Sequence, residues 1–339
     1  MARLRRVDCA GPGIARRRRG RGFEYLDAQG RRIEDEETLA RVAELAVPPA
    51  WREVWICPHP RGHLQATGID AAGRKQYLYH PDWRAHRDRQ KFDRMLEFAR
   101  AMPGLREAVA GHLDDEELTR ERVLACAVRL LDRGLFRIGG EGYAEQNETF
   151  GLATLLKRHV KLGRDGAIRF DYLAKGGQRR VQAVIDPDVY RVIEPLKRRR
   201  RGGPELLAFR SGRRWTDVRS VDVNDYIKDV TAGDFSAKDF RTWNATVLAA
   251  AALAETPPAA STSARKRAIA GAVRRVADQL GNTPTVCRNS YIDPRVLDRY
   301  DSGRVIPAAD LAVQLDELED FAARHGLERA VLELLDPDG

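Results

Sequence analysis

Lys238-Asp239-Phe240-Arg241-Thr242-Trp243 opens a helical stretch, and about fifty residues later Leu280-Gly281-Asn282-Thr283-Pro284 leads into Arg288-Asn289-Ser290-Tyr291. Neither is a short motif with one physical meaning, but both sit in a chain region whose apolar spacing is helical. Helices are expected at roughly 187–198, 221–231, 238–254, 263–280 and 308–335, with the Pro-, Ala-, Ser- and Thr-rich Thr256–Ser263 as a flexible link. Upstream, Val123, Ala127, Leu130, Leu131 and Leu135 give Glu116–Phe136 an amphipathic face, and a second helix is expected from about Asn147 to His159. Between these helices, Ile168, Phe170 and Tyr172 alternate with polar residues, Gly176-Gly177 turns the chain, and Val181, Ala183 and Ile185 continue the alternation. That pattern predicts a β-hairpin with Lys175 at its bend.

The first 80 or so residues follow a different pattern. Phe23–Leu26 and Arg31–Ile33, joined at Asp27-Ala28-Gln29-Gly30, predict a short hairpin, followed by a helix over Asp35–Leu45 that Pro48-Pro49 ends. Trp55-Ile56-Cys57 predicts a strand, and His63–Ile69 with Arg74–His80 around Asp70-Ala71-Ala72-Gly73 predicts a second hairpin. Strand signals yield to helical periodicity around Ala85–Arg89. The expected organisation is α+β: a basic flexible arm over 1–22, a small sheet module with helices over 23–86, and a mostly helical domain carrying a small β-hairpin or sheet over 87–339. No internal repeat is visible.

Composition narrows the function. The formal charge is +9, but residues 1–22 hold eight arginines and one aspartate, which leaves only about +2 downstream. A polyanionic partner therefore meets local patches, such as Arg16–Arg19 and Lys197–Arg201. The four cysteines are far apart, which supports neither a disulfide framework nor a zinc site, and a reducing cytosol is the expected compartment. No long apolar run or secretion signal is present. Neither a Walker loop, a G-x-G-x-x-G after a strand nor an H-E-x-x-H occurs, which argues against nucleotide-driven and zinc-hydrolase chemistry.

In company, the opening segments resemble the catalytic domain of type IB DNA topoisomerases, in the compact form of poxviruses and bacteria. Phe136-Arg137-Ile138-Gly139, with Tyr143 and Asn147-Glu148-Thr149 behind it, resembles that family's first arginine segment, and Ala174-Lys175-Gly176 its lysine hairpin. Lys238–Thr242 resembles the second arginine segment; Gly281–Pro284 with Tyr291, nine positions after Asn282, resembles the last. The N-terminal module is similar through Pro48-Pro49-Ala50-Trp51, Trp55–Pro58, Gln65–Gly68 and Lys75-Gln76-Tyr77. The resemblance implies Tyr291, Arg137, Lys175, Arg241 and Asn282 as catalytic residues. It implies Gln76, Tyr77, Tyr79, Tyr143 and Thr149 as DNA contacts, and residues 23–86 as a DNA-clamp domain. Two departures stand out: the family's commoner residue at Asn282 is histidine, and Gly140 replaces a lysine of the poxvirus relatives.

The residue types suit the chemistry. A phosphodiester under attack gathers charge on its nonbridging oxygens, which planar guanidiniums such as those of Arg137 and Arg241 match with paired hydrogen bonds. A tyrosine hydroxyl ordinarily ionises near pH 10, so nearby arginines favour the nucleophilic phenolate. Lys175 is the implied general acid for the departing 5′ oxygen. Asn282 can donate to a phosphate oxygen, but carries no charge and does not titrate.

The expected activity is relaxation of supercoiled DNA through a 3′-phosphotyrosyl intermediate, with no cofactor, ATP or metal. The expected partner is duplex DNA, clamped by a monomer, with no membrane and no small-molecule cofactor, in a bacterial cytoplasm at the nucleoid. A tyrosine site-specific recombinase uses the same tyrosine chemistry, but its second arginine segment usually begins with histidine, where this chain has Lys238-Asp239-Phe240-Arg241. A non-enzymatic DNA-binding module is the other alternative, and it predicts no covalent adduct.

Overall fold

The computed structural model describes residues 3–255, 261–307 and 321–336, with no side-chain description for Tyr143 and 321–323. Residues 256–260 of the expected link and 308–320 of the expected last helix lie outside the described residues. The chain divides into two compact units, residues 1–93 and 94–339, and the division falls within helix α2 (Pro81–Leu113). Among the described residues, no helix is long and apolar enough to cross a membrane.

The N-terminal unit is an antiparallel sheet of β1 (Ile14–Arg19), β2 (Gly22–Leu26), β3 (Arg52–Ile56), β4 (Leu64–Ile69) and β5 (Lys75–Tyr79), in the order β2-β1-β3-β4-β5. Helix α1 (Glu36–Glu44) starts where the Asp35 carboxylate accepts from the Thr38 N–H at 2.8 Å. Its Val42 packs with Ile14, Val54, Ile56 and Ala66 to make the core of this unit. The flexible arm expected through residue 22 is corrected here, because Ile14–Arg19 form a strand paired to both β2 and β3. Three of its arginines have partners: Arg16 donates to the carbonyls of Val47, Pro48 and Trp51 at 2.7–3.0 Å, and Glu24 pairs with Arg17 and Arg19. Consequently Phe23–Leu26 pairs mainly with β1; only the Leu26–Arg32 bridge and the Ile33 N–H to Tyr25 carbonyl bond join it to the expected return strand.

In the C-terminal unit the chain runs through α3 (Arg120–Gly134), α4 (Glu141–Asn147), β6 (Val160–Leu162), β7 (Ala167–Ala174), β8 (Gln178–Ile185) and α5 (Pro187–Arg198). It continues through β9 (Ala208–Ser211), β10 (Arg214–Asp217), α6 (Ser220–Thr231), α7 (Ala237–Ala254), α8 (Thr262–Leu280), α9 (Pro284–Ser290), α10 (Pro294–Asp301) and α11 (Phe321–Leu335). Helix α7 is the axis of this unit. Phe240 through Leu253 are all buried, and the helix touches α3, α6, α8, α10 and α11. A helix with no polar stripe has no side to give to water, and its many alanines let neighbours approach closely. A buried ionic network fastens α11: Arg106 pairs with Asp132 and Glu328, and Arg324 with Asp132, Glu328 and the Asn244 carbonyl oxygen of the side chain.

The helix expected over Asn147–His159 does not form. Helix α4 ends as Glu148 turns left-handed (φ 49°), and two single 3-10 turns at Leu152–Thr154 and Lys157–His159 follow. The backbone N–H groups of Phe150, Leu152 and Ala153 donate to the carbonyls of Leu173, Arg137 and Ile138 at 2.7–2.8 Å, so tertiary partners replace the helical ladder. The approach is close enough to require glycine: a Cβ on Gly139 (φ +78°) would lie 2.8 Å from Gly151 Cα. The fold class is α+β, with a small N-terminal antiparallel sheet and a mostly helical second unit carrying small sheets.

Candidate active site

Helix α8 ends at Gly281, whose left-handed backbone (φ +61°) lets its N–H and that of Asn282 fold back on Ala277 and Asp278. The next three carbonyls, those of Gln279, Leu280 and Gly281, lie beyond the reach of this backbone cap. Each is taken by an arginine from a different part of the C-terminal unit. Arg180 on β8 donates to Gln279, Arg241 on α7 to Leu280 at 2.9 Å, and Arg137, after α3, to Gly281 at 2.8 Å. Arg137 Nη2 also donates to Asn282 Oδ1 at 2.5 Å, and Arg241 Nη1 to the Leu135 carbonyl at 2.5 Å. Arg241 thereby joins the loop carrying Arg137 to the turn carrying Asn282. Asp239, the acid nearest Arg241 in sequence, instead caps α7 by accepting from Ser236 N and Oγ at 2.8 and 2.9 Å.

Tyr291 follows directly on α9, a short helix that Thr283 caps and Pro284 begins. Its N–H donates to Cys287 at 3.0 Å, its carbonyl accepts from Thr246 Oγ1 on α7 at 3.3 Å, and its ring centroid is 5.3 Å from the Arg241 guanidinium carbon. Four of the five expected catalytic residues, Arg137, Arg241, Asn282 and Tyr291, are thus joined in one cluster. Arg241 is only 4% exposed. Burial, then repulsion from Arg137, pushes its pKa down to about 10 against the opposing pull of Tyr291. The arginines therefore carry uncompensated positive charge, which an anion would relieve.

Lys175 is exposed at the β7–β8 bend, where Gly177 N–H closes the turn on the Ala174 carbonyl at 3.0 Å. Tyr77 and Tyr79, 45% and 38% exposed, stack on one face of β5 with ring centroids 6.2 Å apart; Gln76, on the other face, donates to Asp70 at 2.9 Å. Thr149 is buried and its hydroxyl has no partner among the described residues. Tyr143 lies on α4, and its side chain is outside the description. Two residues at the cluster were not singled out from sequence. Arg180 looked like an ordinary strand residue, and the buried Tyr172 carries a pKa raised by burial despite Arg180, Arg137 and Arg241 nearby.

Residues 80–304 match the family described as eukaryotic DNA topoisomerase I, catalytic core, and residues 22–70 the one described as bacterial DNA topoisomerase IB, N-terminal domain. DNA topoisomerase 1B of Acanthamoeba polyphaga mimivirus is 30% identical over 321 residues, 92% of this chain and 94% of the viral protein. DNA topoisomerase 1 of Daucus carota is 26% identical over 160 residues, 47% of this chain and 19% of the plant protein. That of Schizosaccharomyces pombe is 28% identical over 171 residues, 50% of this chain and 20% of the yeast protein. These similarities fall to DNA topoisomerases, isomerases that act on DNA. The chain belongs to the type IB family. Neither a recombinase nor a non-enzymatic DNA-binding module is favoured.

Proposed function

We propose that this topoisomerase relaxes supercoiled duplex DNA by cutting one strand through a transient 3′-phosphotyrosyl bond at Tyr291 and rejoining it, with neither ATP nor a metal. The observation that carries the reading is the meeting of Arg137, Arg241 and Asn282 at the end of α8 beside Tyr291, where Arg241 Nε and Asn282 Nδ2 are buried donors with no partner among the described residues. A buried donor left unpaired costs about 1–3 kcal/mol. An arriving phosphate oxygen removes that cost.

In this reading the Tyr291 hydroxyl oxygen bonds to phosphorus as the bond to the 5′ oxygen breaks. The phenolic proton passes to solvent water, and the 5′ oxygen takes a proton from the Lys175 ammonium. Arg137, Arg241 and Asn282 donate to the nonbridging oxygens as charge builds there. Rejoining runs the same path backwards. The phosphotyrosine keeps the energy of the broken phosphodiester, so torsional stress in the DNA is the only drive required. Gln76, Tyr77, Tyr79, Tyr143 and Thr149 contact the duplex, which is clamped by a monomer, in the bacterial cytoplasm at the nucleoid.

The test is relaxation of a supercoiled plasmid in EDTA without ATP, by wild type and Tyr291→Phe. A ladder of topoisomers with wild type and none with the variant supports the reading. Dependence on magnesium, or activity surviving in the variant, overturns it.

A further inference from the structure

Arg137 and Arg241 belong to the proposed phosphate site, yet the third arginine on the end of α8 has so far been given no role. We propose that Arg180 is a positioning residue for strand cleavage, fixing the 279–282 turn so that Asn282 meets Arg137 and keeps its Nδ2 free for the phosphate. The inference rests on the reading of Tyr291, Arg137, Arg241 and Asn282 as the cleavage site.

The carbonyls at the end of a helix need donors from elsewhere, and α8 has no basic residue in its own last turn. The backbone cap serves Ala277 and Asp278, and Arg180 supplies the first carbonyl past that cap. Without it, the side chains that hold the turn among the described residues are the two arginines that must also meet the phosphate. Arg180 is itself held from the other side. Its Nε donates to Gln182 Oε1 at 3.0 Å, and Gln182 Nε2 donates to the Gly134 carbonyl at 2.9 Å, just before the loop that carries Arg137. The turn fits closely around it: a Cβ on Gly281 would lie 3.0 Å from Arg180 Nη1. A guanidinium at this place is costly. Burial pushes its pKa down, and the neighbouring Arg137 pushes it further, although Tyr172 opposes both. An apolar side chain would fill the groove at lower electrostatic cost, but could not hold a carbonyl. Arg179, the adjacent residue, points to the other face and pairs with Asp171 at 2.6 Å.

The experiment is single-turnover cleavage of a suicide duplex by the full chain, with DNA affinity and thermal unfolding measured on the same proteins. Arg180→Ala is expected to slow cleavage roughly 30-fold or more while the DNA Kd moves less than about threefold, the signature of an interaction needed at the transition state. Arg179→Ala stays within about twofold of wild type. The decisive readout is a double-mutant cycle with Asn282→Ala. If Arg180 acts through Asn282, its defect shrinks to about threefold or less when the amide is already gone, whereas a merely structural role gives additive losses. Should the alanine variant not fold, Arg180→Lys, which keeps one donor but not the planar fork, carries the same cycle with a smaller defect of roughly three- to tenfold. Additive losses, or an Arg180→Ala rate within about twofold of wild type, overturn the inference. Tyr291→Phe run alongside separates the two levels. A covalent adduct formed by that variant sinks the site reading itself, whereas its absence together with an additive cycle sinks only the role of Arg180.

Discussion

One nitrogen of Arg137, Nη2, donates both to Asn282 Oδ1 at 2.5 Å and to the Gly281 carbonyl at 2.8 Å. With its oxygen engaged, the Asn282 amide has its orientation set, and its Nδ2 is buried with no partner among the described residues. In the proposed site the arginine thus prepares the asparagine as a donor, and at the position where the resembled family commonly carries a histidine the proposed donor has no charge to lose.

For Asn282 the expectation is a loss of one transition-state donor. Asn282→Ala should slow single-turnover cleavage by about 10- to 100-fold, at or below the lower end of the roughly 100- to 1000-fold that removing such a donor costs elsewhere. Asn282→Asp should be slower still, because a carboxylate pairs with Arg137 and repels the phosphate. Rates measured from about pH 5 to 9 should show no inflection arising from this position in wild type, while Asn282→His should introduce one near the histidine range. A rate for the alanine variant within about twofold of wild type would remove Asn282 from the mechanism.

Lys175 can be tested through the leaving group. Replacing the bridging 5′ oxygen by sulfur gives a thiolate that departs without needing a proton. Lys175→Ala is expected to lose about 100-fold or more on the ordinary substrate and to recover most of that on the sulfur substrate. An equal deficit on both substrates means that the lysine does not protonate the leaving group.

Gly281 has φ +61°, and a Cβ there would lie 3.0 Å from Arg180 Nη1, close enough that the guanidinium must shift. Gly281→Ala should therefore cost about 1–2 kcal/mol in denaturant unfolding. The distinguishing expectation is that its cleavage rate falls more than its DNA affinity, because the displaced turn carries Asn282. Equal losses in both would show the turn to be only structural.

Acid stability should report on Asp132. Burial raises its carboxyl pKa, but Arg324 and Arg106 more than offset this and hold it at about 2. A folded pKa below the ordinary carboxylate value contributes stability that is fully present above about pH 4 and lost as pH falls toward about 2. Asp132→Asn, which leaves two buried arginines underpaired, should cost about 3 kcal/mol or more at pH 6. The gap to wild type should narrow on going to pH 3. A gap that stays constant across that range would show that the ionised carboxylate is not what stabilises the unit.

Much of the fold was legible because its determinants are local. The β4–β5 hairpin is written in Asp70–Gly73, where the Asp70 side chain accepts from Ala72 and Arg74 N–H at 2.9 Å. Likewise Asp186-Pro187, Thr283-Pro284 and Asp293-Pro294 each open a helix, although α9 and α10 were too short for periodicity to reveal. What was hidden depends on distant partners. The Arg16–Arg19 run looked unable to build a core, yet Arg16 finds three carbonyls more than 30 residues away. A helix is expected after Asn147, but the N–H groups there go to Leu173, Arg137 and Ile138, partners that no local pattern reveals. At the site, the cluster of Arg137, Arg241, Asn282 and Tyr291 was drawn from the family resemblance, since no spacing rule brings residues 137 and 282 together. Arg180 gave no signal because an arginine on an alternating strand is ordinary, and only the α8 terminus shows what it holds.

The most direct measurement of the central claim is the identity of the residue that carries DNA. After trapping on a nicked suicide duplex and digestion with nuclease and trypsin, the peptide Asn289–Arg295, whose sole tyrosine is Tyr291, should bear a nucleotide through its 3′ phosphate. The adduct should be absent from Tyr291→Phe. A nucleotide found instead on Phe170–Lys175, which contains Tyr172, or an adduct that persists in the variant, would contradict the account.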